Sequence, residues 1–294
     1  MLELQGVTRR FGDLTAVDDV SFEVDDGLLT GFVGGNGAGK TTTMRMAMGL
    51  LARNAGEIRW QGRQIEATDQ RRFGYMPEER GLYPKQRIID QLVYLGELHG
   101  LTAAAARASA TGYLDRLGLA DRVKVRVEKL SLGNQQKVQI VAALLGEPTA
   151  LILDEPFSGL DPDAVDAMTG LLREHSSRGI PVLFSSHQLD LVERICDRLV
   201  VMARGRVVAR GTVAELRTAG PTRYLLDLGA DAGWVRDFHR GIHPVDVDGS
   251  RAVVEVEASG AEQALLTEAV RRGPVHEFAR VIPALSDVYR EVTA

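Results

Sequence analysis

Residues 34–42 read GGNGAGKTT, and they satisfy every fixed position of the pattern G-x-x-x-x-G-K-[ST]. The residues feeding into them, LLTGFVGG at 28–35, are an apolar run that ends in glycines, as a buried strand entering a loop does. After them Met44, Ala47, Met48 and Leu51 recur at helical spacing, which predicts an amphipathic helix with those side chains on the core. Strand, glycine loop and helix are the context that makes this pattern a phosphate cradle. Glycines let the backbone wrap close enough for its N–H groups to face phosphate oxygens. Lys40 is then placed to neutralise the β- and γ-phosphates, and the Thr41 hydroxyl to ligate Mg²⁺. The expected ligand is a nucleoside triphosphate.

A phosphate cradle alone does not hydrolyse anything. The second part required is an acid at the end of a buried strand, and ALILDEP at 150–156 offers two. Asp154 suits the magnesium shell, and Glu155 beside it is positioned to orient and deprotonate a water.

Working outward, LELQGV at 2–7 and VSFEV at 20–24 alternate apolar and polar residues like half-buried strands. GEIRWQGRQI at 56–65 predicts a hairpin turning at Gln61-Gly62. From about residue 88 to 145 the pattern is helical; IPVLFSSH at 180–187 is a further strand, separated from ALILDEP by a helix around 164–175. RLVVMARGRVVARG at 198–211 predicts two strands, and Thr212 with Glu215 forms a capping box that opens a short helix. Strands alternating with helices argue an α/β core on a mainly parallel sheet. Past Gly220-Pro221 the texture changes to a small α+β unit, with an Asp-Gly turn inside PVDVDGSRAVVEVE and a closing helix ALSDVYREV. The expected division is 1–217, with a helical subdomain at about 88–145, and an accessory domain at 218–294.

The bulk numbers exclude several classes. A net charge of -5 over 294 residues argues against a broad grip on nucleic acid. One cysteine, Cys196, permits no intrachain disulfide and no cysteine zinc cluster, and the six histidines lack ligand spacing. MLELQGVTRRFG lacks a signal-peptide apolar region, and no stretch nears the roughly eighteen apolar residues that span a bilayer. The expected location is the cytoplasm, with any membrane attachment supplied by another chain.

One stretch remains unexplained by this account. EKLSLGNQQKVQI at 128–140 is another helix start facing an anion, yet it carries no lysine at its tip. Here a resemblance enters, carried by an ordered series of motifs across residues 2–215. The chain resembles the ATP-binding subunit of ABC transporters. Phe11 looks like the aromatic that stacks on adenine. Gly34, Gly35, Asn36, Gly37, Ala38, Gly39, Lys40, Thr41 and Thr42 look like the Walker A loop, and Glu78 falls at the Q-loop position beside the metal. LSLGNQ resembles the LSGGQ signature, Asp154 and Glu155 the Walker B pair, SGLDP the D-loop, and His187 the switch histidine that contacts the γ-phosphate.

The resemblance implies a P-loop cassette with a RecA-like core, an antiparallel β subdomain and a helical subdomain, followed by the small C-terminal α+β domain. It implies ATP with Mg²⁺, and a homodimer in which Ser131, Gly133 and Asn134 face the γ-phosphate held by the other copy. The missing lysine is then Lys40 of that other copy. It also implies a separate membrane-spanning permease, attachment at the cytoplasmic face of the membrane, and the exporter branch that includes sodium and drug efflux ATPases. The segment after Glu78, with Arg80, Lys85 and Arg87, corresponds to the permease docking surface. A soluble ATPase acting on ribosomes or DNA is the alternative; the single cassette, without coiled-coil or zinc insertions, speaks against it. Three positions depart from the family pattern: Leu132 replaces a glycine, Asn134 replaces a glutamine, and Glu78 replaces a glutamine. A carboxylate at 78 could tighten the metal or repel the phosphates.

Overall fold

The structure is a computed structural model describing residues 1–79, 81–257 and 260–293. The chain divides into two compact units, Met1–Val213 and Ala214–Val292. In the first, β1 (Leu2–Phe11) and β2 (Leu14–Val24) pair antiparallel, and the fully buried β3 (Leu29–Val33) runs into α1 (Lys40–Ala47). β4 (Ala55–Trp60) and β5 (Arg63–Gln64) turn through Gln61 and Gly62, both at positive φ. Next come α2 (Ala67–Gln70) and β6 (Phe73–Met76), then the helical segment of α3 (Ile88–Leu98), α4 (Ala103–Arg116) and α5 (Leu132–Leu144). β7 (Ala150–Leu153), α6 (Pro162–Ser177), β8 (Val182–Ser186), α7 (Leu189–Ile195), β9 (Arg198–Ala203) and β10 (Arg206–Gly211) complete the unit.

Two sheets form. The larger has the order β10-β9-β3-β8-β7-β6, parallel from β9 to β6 with β10 antiparallel at one edge; the smaller, β2-β1-β4-β5, is antiparallel. Central parallel strands are covered on both faces, and β3, β7 and β8 are accordingly buried at every position, the polar Thr30, Ser185 and Ser186 included. Phe22 of one sheet meets Phe32 of the other at 5.1 Å between ring centroids, and Trp60 meets Phe73 edge-on at 4.8 Å. Each such ring contributes about 1.5–3 kcal/mol by leaving water. This parallel arrangement has one consequence for chemistry. The loops leaving β3, β7 and β8 all emerge at the same edge, where open α/β sheets hold their ligands.

Helix α1 is shorter than the apolar spacing predicts. Met44 and Ala47 are buried on it as expected, but it ends at Ala47 because Gly49 takes φ +68°. Met48 and Leu51 reach the same core from the turn that follows.

Cys196 follows α7, and its thiol sits over Gly31, where a Cβ would be 2.6 Å from Sγ. Burial pushes the thiol pKa far up. Native protein at pH 8 is therefore expected to react with a disulfide reagent orders of magnitude more slowly than denatured protein, since only thiolate attacks. Equal rates would place the thiol in solvent. His175 is buried; Nδ1 lies 2.8 Å from Leu171 O and Nε2 lies 3.3 Å from the Tyr113 hydroxyl. Burial holds its imidazole below the usual histidine range.

In the second unit α8 (Val213–Thr218) precedes β11 (Thr222–Leu228), β12 (Ile242–Asp248), β13 (Arg251–Val256), α9 (Ala261–Arg272), β14 (Val275–Val281) and α10 (Leu285–Thr293). The sheet order is β12-β13-β11-β14, antiparallel throughout. This is the split βαβ order of ferredoxin-like folds, with a 3₁₀ turn at Gly233–Asp237 where the first helix would stand. Leu226, Val254 and Leu265 fill its core, and the Arg272 guanidinium lies 4.6 Å over the Trp234 ring.

Candidate active site

Val33 ends β3, and the loop from Gly34 to Gly39 leads directly to α1. Gly39 has φ +104°, and a Cβ there would fall 2.6 Å from the Ala16 carbonyl oxygen. Only glycine fits. No side chain caps α1, so its leading N–H groups are open to an anion. Lys40 is buried, and its Nζ donates to Gly34 O at 2.7 Å and Gly35 O at 3.3 Å. The loop carbonyls thus hold the ammonium beside the open helix end.

β7 delivers Asp154, which is 1% exposed. Its Oδ1 accepts from Ser185 Oγ at 2.6 Å, and Ser185 Oγ in turn accepts the Glu155 N–H at 2.7 Å. Asp154 Oδ2 is buried without a hydrogen-bond partner among the described residues. A buried carboxylate oxygen left open is a site for a hard cation, and Thr41 supplies a second oxygen in the same cleft. Among the described residues no three His, Cys, Asp or Glu side chains converge as a metal cage. Mg²⁺ needs none, because it binds through one or two protein oxygens, water and phosphate. The donor set therefore fits Mg²⁺ on a nucleotide.

Glu155 adopts φ +51°, a left-handed backbone that costs a non-glycine residue about 1–3 kcal/mol. The Gln136 amide offsets part of that strain by donating to Glu155 O at 2.8 Å. The Glu155 side chain meets His187, with Oε2 3.0 Å from Nδ1. Sequence reasoning named both residues and assigned them separate tasks; the fold pairs them, because β7 and β8 are adjacent parallel strands with Leu153 opposite Phe184.

A cleft of about 480 Å³ gathers Phe11, Leu14, Ala16, residues 36–42, Glu78, Asp154 and Glu155. Phe11 is 46% exposed at the end of β1, with the Arg9 guanidinium 4.5 Å over its ring. Gly34 and Gly35 act through the carbonyls that hold Lys40. Ser131, Gly133 and Asn134 are not among the residues lining this cleft. Ser131 instead caps α5, its Oγ accepting from Asn134 N at 3.4 Å. A Cβ on Gly133 would stand 2.7 Å from Gly159 O of the D-loop, so the close approach needed there is to the chain's own backbone. Leu132 is 60% exposed, pointing away from the core. Ser185, Gln136 and Arg9 went unnoticed in the sequence; two serines ending the otherwise apolar run of β8 were the one available signal, for Ser185.

The comparisons with known proteins agree with this geometry. Residues 17–158 match the family described as ABC transporter, and residues 211–293 match one described as ATP-binding protein DrrA1-3-like, C-terminal domain. The chain is 36% identical over 292 residues to the "Uncharacterized ABC transporter ATP-binding protein YhaQ" of Bacillus subtilis (strain 168), covering 99% of this chain and 98% of that one. It is 36% identical over 218 residues to the Nod factor export ATP-binding protein I of Paraburkholderia xenovorans (strain LB400), covering 73% and 72% respectively. A solved structure titled "Structure of ATP binding subunit of ABC transporter" superposes with a TM-score of 0.69 at 34% identity, covering 74% of this chain and 92% of that one.

Proposed function

This chain belongs to the ATP-binding proteins of ABC transporters, and from that premise we propose that two copies clasp ATP head to tail to drive export. As a member it is an ATP hydrolase that powers transport together with a membrane permease component. The observation that carries the catalytic reading is the convergence of Lys40, Thr41, Asp154 and Glu155 on one cleft at the edge of the parallel sheet.

Lys40 and the N–H groups opening α1 hold the β- and γ-phosphates. Bound Mg²⁺ supplies charge neutralisation on those phosphates, with Thr41 and Asp154 to hold it and Glu78 beside it. Glu155 orients the attacking water and takes its proton, while His187 fixes the direction of that carboxylate and contacts the γ-phosphate. Ser131, Gly133 and Asn134 complete the site of the other copy, which accounts for two anion-facing helix starts in one chain. The second unit is an accessory domain. Phe11 stacks on adenine: Phe11→Ala is expected to cost about 1–3 kcal/mol, a roughly 5- to 150-fold loss of ATP affinity. Titration with ATP and GTP checks it; an unchanged affinity for both removes Phe11 from the site.

No helix among the described residues is long and apolar enough to cross a membrane; in this reading the permease is a separate chain. Its contact surface is the groove of about 610 Å³ lined by Tyr83, Lys85, Gln86, Arg87, Asp90, Tyr94 and Arg126. Arg80, expected in the same surface, lies outside the described residues. Export is supported by the similarity to a protein named for Nod factor export. The tagged chain, recovered from detergent-solubilised membranes, is expected to carry a multi-spanning membrane protein. Recovery with ribosomes or DNA instead would replace this reading with a soluble ATPase.

A further inference from the structure

Helix α5 carries two glutamines on one face, Gln136 and Gln139, each at most 6% exposed. Neither is spent on the helix. Gln136 Nε2 donates to Glu155 O at 2.8 Å and Pro156 O at 3.2 Å. Gln139 Nε2 donates to Pro77 O at 2.6 Å and Glu79 O at 3.3 Å, the carbonyls immediately before and after Glu78. One helix face therefore grips both acid-bearing loops of its own chain by their backbones.

Gln139 is the less expected of the two. Its Oε1 is buried with no partner among the described residues, and an unmet buried acceptor costs about 1–3 kcal/mol. Packing alone would favour methionine, which has the same length and no such oxygen. What the amide gives in return is a fixed position for the turn that displays Glu78.

We propose that Gln139 is a positioning residue for Glu78, holding the carbonyls on either side of it so that its carboxylate stays at the metal side of the ATP cleft. The helix that begins at Ser131 is by the same contact registered against the Glu78 loop of its own chain. A displacement of α5 moves Glu78 with it. The inference rests on Glu78 lying beside the metal in the proposed function.

The test is the Mn²⁺ affinity of the ATP-loaded protein, read from the electron paramagnetic resonance signal of free Mn²⁺. Gln139→Met is expected to weaken Mn²⁺ roughly tenfold, the usual effect of removing an outer support of a metal site. Its melting temperature without nucleotide is expected not to fall, because the unmet Oε1 leaves together with the two hydrogen bonds, and its ATP affinity in chelator is expected to stay at the wild-type value. In a Glu78→Gln background the same substitution is expected to change Mn²⁺ affinity less than about twofold, because residues acting through one another are not additive. An unchanged Mn²⁺ affinity in Gln139→Met, or an equal loss in both backgrounds, overturns the proposal. Should Gln139→Met not fold, Gln139→Asn keeps the amide and withdraws it by one methylene, with the same expectations. Failure of the wild-type chain to bind ATP would sink the functional reading; normal ATP binding with an indifferent Gln139 sinks only this one.

Discussion

Glu155→Gln is expected to lower ATP turnover by roughly 10²–10⁴-fold, the range for loss of a general base, while ATP still binds. The substitution is close to isosteric, so the strained φ of +51° and the backbone contacts from Ser185 and Gln136 are preserved. What disappears is the capacity to take a proton from water. Lys40, the open end of α1 and Asp154 are untouched, so the triphosphate remains held. With hydrolysis blocked, a nucleotide clasped between two copies has no route to products. Size-exclusion chromatography under saturating ATP should then show the variant as a dimer. A monomer under those conditions removes the head-to-tail part of the proposal, and normal turnover removes Glu155 as the base.

How far the sequence alone reaches is visible in these same residues. The pattern around Lys40 and the two acids after ALIL were legible because each is a local signal: a glycine loop between strand and helix, and carboxylates at the end of an apolar run. The pairing of Glu155 with His187 was not legible as a pair, because 32 residues separate them and only the register of two parallel strands brings them together. Ser185 is a plain strand serine until β8 is set beside β7, where it bridges Asp154 to the Glu155 backbone. The early end of α1 was missed for a different reason. Apolar spacing continues through Leu51, and both a helix and the turn that replaces it direct those side chains to the core. Periodicity reports which side chains are buried, not the backbone that delivers them. The Arg9 guanidinium over Phe11 and the amide of Gln139 are contacts that no periodicity encodes.

The proposed composite site makes the sharpest prediction, because it separates two residues that would never need to act in the same copy. Lys40→Ala removes the ammonium from the phosphate loop; Ser131→Arg blocks the helix start that, in the proposed dimer, faces the other copy's nucleotide. Alone, each is expected to cut turnover by at least roughly 10²-fold, as for loss of a preorganised electrostatic contact at the phosphate. Ser131→Arg should still bind ATP, since Ser131 does not line the cleft of its own chain. Mixed in equal amounts, the two variants form dimers in which one site carries both lesions and the other carries neither. About half of randomly assembled dimers are mixed and each holds one intact site, so roughly a quarter of wild-type turnover should return. Sites complete within one chain give the opposite result, because every chain in the mixture bears a lesion and no pairing can repair it. Recovery on mixing therefore requires that Lys40 and Ser131 of different copies meet on one triphosphate. No recovery, or full activity in Ser131→Arg alone, would return the whole reaction to the single chain.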